Sequence, residues 1–227
     1  MKTLKKSLPN LVKLAVFISM VFLTQFNSTV FAEKKNKEIK DKKSSTAIIG
    51  ETLELNPNRS SVRWYGTNGS PVIAEHTGGI KVKKGKVIVN TTGEITAAEL
   101  VMDMTSISND NLSGELQNKI VQHLKSPDFF DTKKYPEATF KSTQIQKIND
   151  KKYQLIGQLT IKNTKKNTNI TGFYTTDGFN YSFKGNFIFD RTDFDVKYGS
   201  GKFFSNLGDK LINDTVKLSF DLKANPV

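Results

Sequence analysis

The chain has 227 residues, carries 34 Lys and Arg against 22 Asp and Glu for a formal charge of +12, and contains no cysteine. That length suits one β-rich domain of ordinary size, and the missing cysteine excludes a disulfide framework, a thiolate nucleophile and a lipid-modified N-terminal cysteine. Its lysines are scattered, without the concentrated basic patch and interleaved aromatics that nucleic acid demands, so no nucleic-acid partner is expected.

At the N-terminus, Lys2, Lys5 and Lys6 precede an apolar run from Leu14 to Leu23 broken only by Ser19, and Val30-Phe31-Ala32 further on has small residues at the two cleavage-determining positions. This pattern predicts a secretory signal peptide over 1–32, cleaved near Ala32. The run is about half of the roughly 20 residues a spanning helix needs. The product is therefore expected to be exported, periplasmic or extracellular, and soluble, with no stable membrane insertion once the leader is gone. Residues 33–47 are Lys-rich and nearly devoid of large apolar side chains, so they read as a flexible tether. The domain is expected over 48–227.

Ser61 to Gly66 alternates Val62 and Trp64 with Ser61 and Arg63, the period of a strand with one wet face. After the turn-rich Thr67 to Pro71 comes a second strand, with a bulge or tight bend expected at Gly78-Gly79. Lys83-Lys84-Gly85-Lys86 predicts a hairpin and Val87 to Val89 its return. Ala98, Leu100, Met102 and Met104 share one phase of a long strand over about 95–107.

Asn109 to Asn111 supply capping side chains, and Leu112, Leu116, Ile120 and Leu124 recur every four residues, which predicts an amphipathic helix. Ser126-Pro127 predicts a second short helix start. Phe129 and Phe130 follow, and at least one should plug the interior. Tyr135-Pro136 then forces extended backbone, with a strand from Ala138.

Beyond this point alternation is clean. Tyr153, Leu155, Leu159 and Ile161 oppose Lys152, Gln154, Gln158 and Lys162; Tyr181, Phe183, Phe187 and Phe189 oppose Ser182, Lys184, Asn186 and Asp190; Val216, Leu218, Phe220 and Leu222 oppose Lys217, Ser219, Asp221 and Lys223. One apolar and one solvated face per strand means antiparallel sheet. A sandwich or a closed barrel satisfies the pattern, and the inward aromatics suit an all-β antiparallel barrel of about eight strands with a short helix pair between strands.

Chemistry is sparsely encoded. Two histidines, His76 and His123, cannot form a three-imidazole zinc site, and a two-histidine site completed by Glu75 or Asp128 lacks ligand-type spacing. No G-x-S-x-G elbow is present. Gly199-Ser200-Gly201 falls in a loop of a β protein without the helix that cradles a phosphate. Asp103, Asp128 and Asp190 read as solvated carboxylates. No catalytic residue, metal or cofactor is therefore assigned, and the chain is not expected to be an enzyme.

With these elements placed, the chain resembles the YceI-like family of exported bacterial proteins that bind polyisoprenoid lipids. The resemblance rests on Trp64, H-T-G-G-I at His76 to Ile80, D-M-T-S-I at Asp103 to Ile107, H-L-K-S-P-D-F-F-D at His123 to Asp131, Y-P-E-A-T-F at Tyr135 to Phe140 and G-Q-L-T-I at Gly157 to Ile161. Asn163 to Thr168 departs from the family's G-V-T-K-P-V.

The resemblance implies a lipocalin-like barrel holding a long isoprenoid lipid or a quinone-like ligand. By phase, the candidates for the tail are Trp64, Leu100, Met102, Phe129, Leu155, Phe183, Phe187 and Phe220. Arg63, His76 and Arg191 are the candidates for a polar or phosphorylated head. An enzyme acting on a small apolar molecule, and a packed barrel serving as an interaction module, are the alternatives. The oligomeric state stays open, a homodimer included.

Overall fold

The computed structural model describes residues 50–69 and 75–227. The proposed leader and tether lie outside these residues, as does part of the turn after Thr67. Nine strands and one α-helix follow in order: β1 (Glu51–Leu55), β2 (Ser61–Asn68), β3 (Glu75–Val89), β4 (Ile95–Asp103), α1 (Gly114–Lys125), β5 (Glu137–Lys147), β6 (Lys152–Ile161), β7 (Thr164–Thr176), β8 (Tyr181–Asp190) and β9 (Ile212–Pro226). Among the described residues no helix is long and apolar enough to cross a membrane.

Hydrogen-bonded neighbours run from β3 through β2, β9, β8, β7, β6 and β5 to β4, which pairs back onto β3. The sheet is a closed antiparallel barrel. It has eight wall positions for nine strands, because β1 and β2 share one: Leu53 of β1 pairs with Val87 and Pro226, while Trp64 of β2 pairs with Gly78 and Leu218. Closure leaves no strand edge to template association. Inward side chains form the core, Leu53 and Leu159 losing all exposure, and each fully buried Leu contributes about 1.5–3 kcal/mol.

Four local expectations are corrected. Lys83 to Lys86 makes no hairpin: β3 runs on through it, with only a register shift between Val82 and Lys84. Gly85 serves close approach instead, since a Cβ there would stand 2.5 Å from Leu55 Cδ1 and 2.6 Å from the Glu99 carbonyl. Gly78-Gly79 is likewise regular in register, and a Cβ on Gly78 would lie 1.7 Å from the Ser108 oxygen.

β4 stops at Asp103 rather than running to Ile107. The Asp103 carboxylate accepts from the Thr105 amide at 2.9 Å and hydroxyl at 2.6 Å, capping a 3-10 turn over Met104–Ser106. Only one α-helix forms, not a pair. Ser126 closes α1 instead of opening a second helix, its amide and hydroxyl both donating to the His123 carbonyl at 3.1 and 2.8 Å. Pro127 then bars continuation, and the chain leaves through turns closed by the Asp131 amide on the Ser126 carbonyl.

Candidate functional site

Strand alternation turns one face of all eight wall positions inward, and the enclosed space divides into two chambers along the bore. The helix-end chamber, about 260 Å³, lies beneath α1 and is lined by Trp64, Met104, Ile107, Ile120, Leu124, Phe129, Phe130 and Phe189 together with Thr67, Asn68, His76, His123, Arg191 and Asn213. The far chamber, about 80 Å³, has an almost wholly apolar wall that includes Leu100, Phe140, Tyr153, Leu155, Tyr174, Phe183, Phe187 and Phe220. Met102 and Leu218 border both.

Glycines on the wall let aromatic rings lie flat and keep this space clear. A Cβ on Gly157 would stand 2.8 Å from the Phe140 ring, and one on Gly185 would stand 2.6 Å from the Phe220 ring, which also lies 3.4 Å from the Cβ position of Gly172. At the far end Tyr174 stacks on Phe183 and Tyr181, ring centroids 5.2 and 6.3 Å apart. Burial pushes the Tyr174 phenol up to about 12.

Over the helix end, α1 is tied to the wall through Asn109, whose side-chain Nδ2 donates to the Thr77 carbonyl at 3.0 Å and whose backbone carbonyl accepts from the Gln117 side chain at 2.7 Å. Trp64 packs beneath, its indole N–H donating to the Ser108 carbonyl at 2.9 Å, so its polar edge is satisfied and its ring faces the chamber. His123 stands edge-on to Tyr198 and Phe129, centroids 4.4 and 5.4 Å apart, joining α1 to the segment after β8.

All eight residues assigned to a tail from phase line the chambers: Trp64 and Phe129 at the helix end, Leu100, Leu155, Phe183, Phe187 and Phe220 in the far chamber, and Met102 in both. The three candidates for a head separate. Arg63 lies on the outer face, its side chain 43% exposed and paired with Asp110 at 2.7 Å. It neighbours inward Trp64 in a strand, so it must point outward.

Arg191 lines the helix-end chamber, but its donors are committed. Its five N–H groups meet the carbonyls of Asn213, Val196, Tyr198 and Ile212 and the Asp214 carboxylate at 2.8–3.1 Å. Its face also lies over Phe129 at 5.5 Å. His76 lines the same chamber, with Nε2 3.3 Å from the Asn68 side-chain amide and Nδ1 buried without a partner. Desolvation lowers its pKa, which favours the neutral ring.

Phase could have added Tyr153 and Phe189, which share the alternation of their chosen neighbours. Asn68 and Asn213 sit at strand ends, where period-2 reading loses its footing. Among the described residues no group of three or more His, Asp or Glu side chains is placed to hold a metal ion.

A closed antiparallel barrel, capped at one end and divided into apolar chambers, is a lipocalin-like architecture. The chain belongs to the YceI-like domain family, whose profile matches residues 53–224. Burkholderia cenocepacia BcnA shares the fold, with a TM-score of 0.61 at 23% identity over 75% of this chain and 99% of that one. A polyisoprenoid binding domain from Saccharophagus degradans, implicated in plant cell wall breakdown, shares it with a TM-score of 0.55 at 13% identity over 77% of this chain and 98% of that domain. A UPF0312 protein of Photorhabdus laumondii is 47% identical over 45 residues, 20% of this chain and 23% of its own length. One from Pseudomonas putida is 35% identical over 57 residues, 25% and 30% respectively. The chain thus matches less than a third of the length of these curated relatives.

Proposed function

We propose that the barrel binds one apolar, isoprenoid-type molecule lengthwise, with its chain in the chambers and an uncharged head at the helix end. The observation that carries this reading is the pair of apolar chambers end to end inside a closed sheet. Each buried CH₂ contributes about 0.8 kcal/mol, so a few isoprene units outweigh the entropy of association. Family membership and the polyisoprenoid-binding neighbour point the same way.

The polar wall favours an alcohol or a quinone-like carbonyl over a phosphate. Arg191 has no donor left, Arg63 lies outside, and His76 is held neutral, so a buried phosphate would lack a counter-charge at large desolvation cost. Thr67, Asn68, His76 and Asn213 suit a neutral head that exchanges hydrogen bonds. The almost wholly carbon surface of the far chamber supports carriage as the reading over catalysis. The N-terminal leader pattern supports action outside the cytoplasm, where a free isoprenoid needs an escort through water.

Native mass spectrometry of the protein purified from its own cell envelope tests the proposal. A co-purifying neutral apolar adduct is expected, on a polypeptide whose mass begins at Glu33. A bare mass, or a preference for farnesyl phosphate over farnesol in titration, would count against it.

A further inference from the structure

The two chambers meet at Met102 of β4 and Leu218 of β9, both buried. β4 and β9 stand three strands apart one way round the barrel and five the other, so their side chains narrow the bore from nearly opposite walls. An apolar cavity of about 150 Å³ holds one benzene, about 25 Å³ per carbon. On that scale the helix-end chamber of about 260 Å³ takes roughly ten carbons, two isoprene units. The far chamber of about 80 Å³ takes roughly three, most of one further unit.

We infer that Met102 and Leu218 form a waist that sets the preferred chain length: two isoprene units lie on the helix side, and the third passes the waist into the far chamber. The inference rests on the apolar-chain reading above and refines it. Orientation follows from the walls, since the polar surface sits at the helix end, whereas the far chamber, though Glu99, Tyr153 and Tyr174 border it, presents almost only carbon. A thioether with three rotatable bonds on one side suits a passage that must open for a methyl-branched chain and close behind it.

Trp64, the single tryptophan, borders the helix-end chamber and reports occupancy by its fluorescence. Titration with geraniol, farnesol and geranylgeraniol should show affinity rising on the order of 100-fold from two units to three, and little further at four. Met102→Phe should cut the farnesol-to-geraniol ratio to below about tenfold, the lost burial of the third unit. Leu218→Phe narrows the same point from the other wall, so failure of one variant to fold leaves the other. An undiminished ratio in a folded variant, or a flat ratio in the wild type, overturns the waist while leaving the binding reading intact. No response to any of the three alcohols overturns both.

Discussion

Arg191 keeps its charge at 1% exposure because the geometry around it supplies an oxygen for each of its five N–H groups. Those oxygens come from both sides of the segment between β8 and β9, so one side chain holds that cover against the barrel. Arg191→Lys replaces a planar fork by a point charge with three donors and leaves acceptors unpaired. The expected loss is about 2–4 kcal/mol, measured as a drop in the urea midpoint with unchanged slope; a loss below about 1 kcal/mol would disprove the role.

His76 makes a second prediction at this scale. Its folded pKa lies below the ordinary 6.5, so the unfolded chain binds more protons as pH falls through and below 6.5. Its contribution is present above that value and is lost as pH falls towards the lowered one. Stability should therefore decline between about pH 7.5 and 5.5, and less steeply in His76→Gln; parallel declines would refute the assignment. The outward fate of Arg63 was legible, since it alternates with Trp64. The commitment of Arg191 was not, because it follows the end of β8, where phase stops and the partners are backbone carbonyls that any sequence possesses.

Among elements, strands were the easiest to read and turns the hardest. Alternation sorts one face from the other whatever lies across the barrel, and it placed the strand-borne tail candidates on the wall, whereas Phe129 reaches the chamber from the turns after α1. The helical stripe overreached on α1: Leu116 belongs to it yet is 60% exposed, because the helix crosses the end of the barrel and only its C-terminal part, near Leu124, presses inward. Ser126-Pro127 carries the chemistry of both a helix start and a helix stop, and the tertiary contacts of Phe129 and Phe130 decide for the stop. Glycines inside strands were read as bends, whereas they are places where a ring or carbonyl comes close. The Phe220 ring illustrates the consequence. A methyl on Gly185 would lie 2.6 Å from its Cζ and 2.5 Å from the Thr171 carbonyl, so Gly185→Ala should push the ring into the far chamber at about 1–3 kcal/mol. In a Phe220→Leu background the cost should fall by at least roughly 0.5 kcal/mol, since the smaller side chain can yield. Strict additivity in calorimetry would show that the ring is not what the glycine accommodates.

At the scale of the molecule, closure depends on β4 returning to β3, a pairing that single-strand periodicity does not contain, so alternation alone allowed sandwich or barrel, and it was the inward aromatics and then the resemblance that pointed to the barrel. Hollowness was further from reach, because it turns on whether Phe140 and Phe220 lie against the wall or across the bore. The chambers exist only in the folded barrel, so a molecule that fills them binds the native state and not the unfolded chain. Stability must then rise by RT ln(1 + [L]/Kd), about 2.7 kcal/mol at a hundredfold excess over Kd. A domain of this size gains about 2–4 °C per kcal/mol, so saturating farnesol should raise the thermal midpoint by roughly 5–11 °C. The increment should keep growing with the logarithm of ligand concentration, as binding linkage requires and a non-specific solvent effect does not. A midpoint that stays within about 1 °C of the ligand-free value at that excess would mean the chambers take no prenyl chain.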